Sequence, residues 1–182
     1  ATREFFVDEN GKVKPKASLE GPTAAGIPGE PAALDWVAGR YGLLPLARSL
    51  APAILLAERG FPADARYAAA SALREALLKN NAEASRSFLD DGKAVAVGFV
   101  VIQPQLARTL RMLAHEGAQG FYHGDFALKL AQTVKSAGGL WELSDLESYR
   151  VIERAPVRFT YRGARITTAP LPSSGGLVLA QS

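Results

Sequence analysis

The sequence contains no cysteine, which excludes disulfides and thiolate metal ligands. Histidine is nearly as scarce. His115 falls at an expected helix end, where the partial negative charge favours a cation, and His123 lies in a turn before Asp125. Neither has partners at a metal-ligand spacing, so both read as surface or capping residues. No apolar run approaches the roughly 20 residues that a membrane-spanning helix needs. The formal charge is only +3, with Lys, Arg, Asp and Glu mixed along the chain. A basic stripe with interleaved aromatics is missing, and with it any case for nucleic acid. Phosphate-loop and dinucleotide glycine patterns do not occur. Residues 1 to 6 lack the basic-then-apolar pattern of a signal peptide, as a processed exported protein also does.

What is present has the make-up of a globular domain. Hydrophobic residues form 48% of the 182 positions and charged residues 21%, enough for a sizeable core. Asp8 to Lys12 reads as a turn, with Asn10-Gly11 suited to positive φ. The small-residue segment Thr23 to Glu30 reads as a loop packed against the domain. From Pro31 the pattern is helical, with Leu34, Val37 and Tyr41 at helical spacing and Gly39 and Gly42 bracketing the stop. Pro45 and Pro52 each suit a first turn, giving two short helices or one kinked helix. Ile54, Leu55 and Leu56 are expected on its buried face, and Gly60 ends it. Asp64 caps an Ala-rich helix through about Lys79, anchored by Tyr67, Leu73 and Leu77.

Phe88 to Lys93 reads as a turn, and Ala94 to Ile102 as either a short strand or a buried loop. Pro104 opens a helix with a Leu106, Leu110 and Leu113 stripe, ended by Gly117. Another helix is expected from Phe121 to Ala137, separated by Gly120 and Gly124 and ended by Gly138-Gly139. Ser144 and Glu147 have capping-box spacing. Val157, Phe159 and Tyr161 then alternate with Arg158, Thr160 and Arg162, the period of a half-buried strand. Gly163 turns the chain into a second strand, Arg165 to Thr168. Helices first and strands last make α+β the expected class.

The chain converges on Thr167-Thr-Ala-Pro-Leu-Pro-Ser-Ser-Gly-Gly-Leu-Val-Leu-Ala180. Prolines stiffen this approach, and Gly175-Gly176 open an apolar run that reads as the first turns of a helix. Free amides at such a start face an anion or another backbone. Ser173 and Ser174 have no base near them in sequence, as a nucleophile requires, and no Gly-x-Ser-x-Gly elbow occurs there. Asp90-Asp91 beside Gly92 read as turn residues. Arg150, Arg154, Arg158, Arg162 and Arg165 crowd the strand region. A guanidinium is a natural carboxylate clamp, but the alternation also describes a solvated strand face.

Eight landmarks occur in order across almost the entire chain. They are Ala25-Gly-Ile-Pro-Gly29, Tyr41-Gly-Leu-Leu-Pro-Leu46, Gln103-Pro-Gln-Leu-Ala107 and Phe121-Tyr-His-Gly124, followed by Gly138-Gly-Leu140, Asp145-Leu-Glu-Ser-Tyr149, Tyr161-Arg-Gly163 and Pro172-Ser-Ser-Gly-Gly176. In this order they resemble the large subunit of the γ-glutamyltranspeptidases, although Leu171 replaces the middle of the three prolines usual before the serines.

The resemblance implies the mostly helical part of an N-terminal-nucleophile hydrolase, a four-layer αββα sandwich, with strands toward the C-terminal end. Such proteins are made as one precursor that cuts itself in two. The new N-terminal threonine of the small subunit then attacks a γ-glutamyl amide, usually of glutathione, with no metal or organic cofactor. Residues 1–182 would be a partial large-subunit region, incomplete at both ends and inactive alone, with no catalytic residue of its own. Its partner would be the small subunit that carries the threonine. Ser173, Ser174, Gly175 and Gly176 are expected to border the active site through packing. Arg3-Glu4 matches part of the family's Asp-x-Arg-Glu carboxylate clamp, but Phe5-Phe6 follows, so Arg3 aligns with a later arginine and the clamp is expected upstream of Ala1. Bacterial members are mostly periplasmic or secreted. A related acylase or a poly-γ-glutamate capsule depolymerase shares the pattern, and a non-catalytic helical binding module is the reading from a different class.

Overall fold

The computed structural model describes residues 3–181, and only the backbone of Arg3 and Glu4. The Arg3 side chain, weighed above as a clamp, therefore lies outside the described residues. The chain divides into two compact units, Ala1–Tyr149 and Arg150–Ser182. Both α+β character and helical dominance are borne out.

The first unit opens with the expected turn. The Asp8 carboxylate accepts the Asn10 and Lys12 amides at 2.9 and 2.8 Å, and Gly11 sits at φ 74°. Seven helices follow: α1 (Glu30–Tyr41), α2 (Leu46–Arg59), α3 (Ala65–Lys79), α4 (Ala82–Phe88), α5 (Pro104–Tyr122), α6 (Gly124–Ser136) and α7 (Leu143–Glu147). Between them lie the antiparallel pairs of β1 (Phe61–Pro62) with β4 (Val100–Val101), and of β2 (Leu89–Asp90) with β3 (Lys93–Ala94). Strands thus occur early as well as late.

Helix α2 is one helix containing Pro52, which resolves the choice between one helix and two. It packs along α5, and Arg111 of α5 pairs with Glu58 of α2. The buried residues are Leu50 and Ala57, two turns apart on one face, whereas Leu55 and Leu56 are exposed and Ile54 is half-buried. The expected apolar face is therefore wrong by about half a turn. Small side chains meet at this contact: Ala107 of α5 is buried while Leu106 is exposed. Close helix approach favours alanine there, and an apolar triplet does not say which of its faces turns inward.

Asp64 caps α3 as expected, its side chain accepting the Tyr67 amide at 2.7 Å. Of the expected anchors, Tyr67 packs on Phe61 against the cluster of Ala63, Val95 and Val101. Leu73 is 79% exposed and anchors nothing in this unit. Helix α4 was not foreseen, because Ser85, Arg86 and Ser87 give it no apolar period. Asn81 starts it by accepting the Ala84 amide. Asp91 (φ 45°) and Gly92 (φ 74°) then make the tight turn of the β2–β3 hairpin. Ser71 is buried and holds that hairpin to α3, donating to the Phe88 carbonyl and accepting the Val95 amide.

The break between the long helices also differs from expectation. Gly117 adopts φ 61° and ψ −155° inside α5, and the chain resumes a helical path to Tyr122. Phe121 therefore belongs to the end of α5, and Gly120 breaks nothing. His123 is extended, and Gly124 (φ 68°) opens α6. The capping box of α7 lies two residues before the expected one. Glu142 and Asp145 exchange side-chain and backbone bonds, with the Glu142 amide 2.9 Å from Asp145 Oδ2.

The second unit is an antiparallel hairpin, β5 (Val157–Tyr161) and β6 (Ala164–Thr168), followed by α8 (Ser174–Gln181). Arg162 (φ 47°) and Gly163 (φ 82°) form the turn. Val157 and Phe159 are half-buried and α8 packs on β5, as the alternation requires.

A Cβ on Gly117 would lie 2.9 Å from Asp35 Oδ1 at a backbone angle unsuited to alanine. Gly117→Ala is expected to lower stability by about 1–3 kcal/mol. Gly39→Ala, in an open stretch of α1, should raise it by about 0.4–1 kcal/mol. Urea titration of the two variants should give opposite shifts, and equal shifts would refute the assignment of the break.

Candidate functional site

Ser173, Ser174, Gly175 and Gly176 sit where β6 gives way to α8. The Leu171–Pro172 bond is cis, and the Ser173 amide donates to the Pro170 carbonyl at 3.1 Å. Ser173, Ser174 and Gly175 are exposed, and Gly176 is buried. A Cβ on Gly176 would overlap the Ala169 carbonyl and press on Thr168. The paired glycines thus serve a close approach of backbone to backbone. Neither serine hydroxyl has a hydrogen-bond partner among the described residues, so no base activates a nucleophile here.

A second feature organises the other unit. Residues 25–30 run beneath three aromatic side chains. Trp141 donates its indole N–H to the Ala25 carbonyl at 3.0 Å. The Tyr122 hydroxyl donates to the Pro28 carbonyl and accepts the Ala32 amide. Tyr149 stacks on Tyr122 at 5.3 Å with its ring 6° from parallel, and a Cβ on Gly29 would overlap its hydroxyl. The loop reading of this segment is correct, and Gly29 is its close-approach residue. A cleft of about 270 Å³ opens beside it, walled by Phe5, Ile27, Leu140 and Trp141 with Asp145. Asp145 is committed to the α7 cap, so the cleft is a mainly apolar wall. The tyrosine clamp was invisible in sequence, because no period links positions 28, 122 and 149.

Electrostatic perturbation lies away from the serines. Burial pushes the Tyr122 hydroxyl above the ordinary tyrosine range, opposed by the Ala32 amide and reinforced by Tyr149. Burial also raises Tyr67. Glu75 is held below the ordinary glutamate range, first by its bond to Lys79 and then by the Ala94 amide. All three serve packing or hairpin attachment. Among the described residues no group of three or more His, Asp or Glu side chains can hold a metal.

Because the folded-state pKa of Glu75 is depressed, its stabilisation is fully present above the ordinary glutamate range and is lost as pH falls through the folded value. The stability difference between the wild type and Glu75→Gln should therefore be largest near neutral pH and vanish in acid. A pH-independent difference in thermal melts would contradict this. Gly176→Ala should destabilise the hairpin–α8 packing by about 1–3 kcal/mol, read as faster proteolytic cleavage after residue 150 than in the wild type.

The family model described as gamma-glutamyltranspeptidase matches residues 1–182. The glutathione hydrolase proenzyme of Pseudomonas sp. (strain A14) is 34% identical over 186 residues, covering all of this chain and 32% of the relative. The capsule biosynthesis protein CapD proenzyme of Bacillus anthracis is 36% identical over 156 residues, covering 85% of this chain and 28% of the relative. The crystal structure of Helicobacter pylori gamma-glutamyltranspeptidase superimposes with a TM-score of 0.94 at 35% identity, covering all of this chain and 52% of that one. The chain spans about a third of the length of the curated relatives it matches.

Proposed function

The chain belongs to the γ-glutamyltranspeptidase family, and from that premise we propose that it is part of the large subunit of a γ-glutamyltransferase. The protein cleaves γ-glutamyl amides such as glutathione and passes the γ-glutamyl group to an amino acid or to water. A threonine exposed at the N-terminus of the small subunit, by cleavage of a common precursor, attacks the amide carbon. Its own amine takes the hydroxyl proton, backbone amides hold the oxyanion, and the leaving amine departs protonated. The acceptor then attacks the γ-glutamyl ester and frees the threonine.

The observation that carries this reading is the superposition of the whole chain on the Helicobacter pylori enzyme. The name of the Pseudomonas relative, a glutathione hydrolase proenzyme, supports both the substrate class and the precursor. Residues 1–182 act in this reading as a partial large-subunit region. Its supporting role agrees with large exposed apolar side chains such as Leu43, Leu44, Leu56 and Leu73, more than a finished surface needs. Ser173, Ser174, Gly175 and Gly176 border the active site by packing, without a catalytic role. The periplasm or the exterior is the proposed location; no helix among the described residues is long and apolar enough to cross a membrane. The similarity to CapD favours one second reading, a depolymerase of poly-γ-glutamate.

Expression of the complete coding sequence tests the proposal. The expected result is a precursor that cleaves itself before a threonine and then releases p-nitroaniline from γ-glutamyl-p-nitroanilide. The 182-residue chain alone should release none and should bind a hydrophobic dye. Turnover of poly-γ-glutamate without the anilide would transfer the assignment to the second reading. A full-length product that never cleaves itself would overturn both and leave a binding module.

A further inference from the structure

Five arginines and a single carboxylate, Glu153, occur in residues 150–182, and the hairpin gathers two of the arginines on one face. Arg158 is the cross-strand partner of Thr167, and Thr160 is the partner of Arg165. Cross-strand partners point to the same side of a ribbon, as do residues two apart along a strand. Arg158, Thr160, Arg165 and Thr167 therefore share one face, and all four are exposed. Phe159 and Ile166 point to the other side and are half-buried.

The two arginines are diagonal neighbours, about 7–8 Å apart at their backbones, within reach of each other's long side chains. Neither has an ion-pair or hydrogen-bond partner among the described residues. Arg162 is differently placed, stacked on the Tyr161 ring at 5.2 Å. Like charges held this way repel unless a counter-charge sits between them. A shallow cleft of about 260 Å³ lies at this place, lined by Arg158, Thr160, Arg165 and Thr167 with Phe159 and Ile166.

We propose that this face of the β5–β6 ribbon binds a soluble phosphate dianion, either inorganic phosphate or a small phosphate ester. The choice follows from charge and donor count. Two guanidinium groups bring two positive charges and two planar pairs of N–H donors, and two threonine hydroxyls add two further donors. A phosphate dianion matches both charges and offers oxygens in three directions, whereas a single carboxylate offers one charge and two oxygens. A lipid headgroup has the same phosphate chemistry, but no apolar side chain is exposed on this face of the hairpin to enter a bilayer. The site does not depend on the proposed γ-glutamyl transfer.

Calorimetric titration of the full-length protein with inorganic phosphate, at neutral pH and low salt, tests the assignment. Saturable binding of one phosphate per chain is expected, weakening as salt rises. Arg158→Gln and Arg165→Gln should each weaken it about tenfold or more, and Arg154→Gln, outside the ribbon, should leave it unchanged. Arg158→Lys keeps the charge but loses the fork, so intermediate affinity is expected. Thermal melts of every variant separate lost binding from lost folding. Absence of saturable phosphate binding would overturn the proposal, as would binding indifferent to both glutamine variants. Binding to phosphatidylglycerol vesicles without binding of inorganic phosphate would also overturn it.

Discussion

The first unit depends on how α1 is fastened to α5. Gly117 breaks the long helix and exposes the amide of Ala118, and Asp35 of α1 accepts that amide at 3.0 Å. One turn later the Tyr122 hydroxyl reaches the start of α1, receiving the Ala32 amide and donating to the Pro28 carbonyl. A helix break normally leaves backbone donors without partners, a serious penalty in a protein interior. Here the same break supplies the attachment points for a neighbouring helix. The remaining face of α5 is thereby free to receive α2, and residues 25–30 are held under Tyr122, Tyr149 and Trp141.

The division of labour in this chain is between scaffold and chemistry. Its perturbed titratable groups are two tyrosines raised by burial and one glutamate lowered by a lysine and an amide. Each is explained by packing or by attachment of a hairpin. The serine–glycine turn, which looks chemical in sequence, brings α8 against the end of β6 through Gly176. A supporting subunit needs such joints more than it needs reactive groups. The arginine face of the hairpin stands apart, because its charges are not consumed by any contact among the described residues.

Local rules were the legible part of the fold. Asp64 as a helix cap, the Asp8 turn, the β5–β6 hairpin and the helix ends at Gly42, Gly60 and Gly138 all follow from a few neighbouring residues. Faces were harder to read. Leu55, Leu56 and Leu73 are apolar at helical spacing and yet exposed, whereas Ala57 and Ala107 are buried. Hydrophobic spacing reports that some surface is covered but not which neighbour covers it. Helix α4 escaped for the opposite reason, since its stability comes from an asparagine cap and adjacent structure instead of an apolar stripe.

The sequence by itself determined the helical order, the hairpin, the absence of thiolate chemistry and, through eight ordered landmarks, the family. Those properties reside in short segments whose backbone preferences and residue order survive without tertiary context. Only the tertiary structure decided where α5 breaks, which of two capping boxes forms, and that Tyr122, Tyr149 and Trp141 close over residues 25–30. It also decided that Gly176 is needed for a backbone approach. Each of these depends on a partner distant in sequence or on competition between equivalent local choices, and packing alone selects among them.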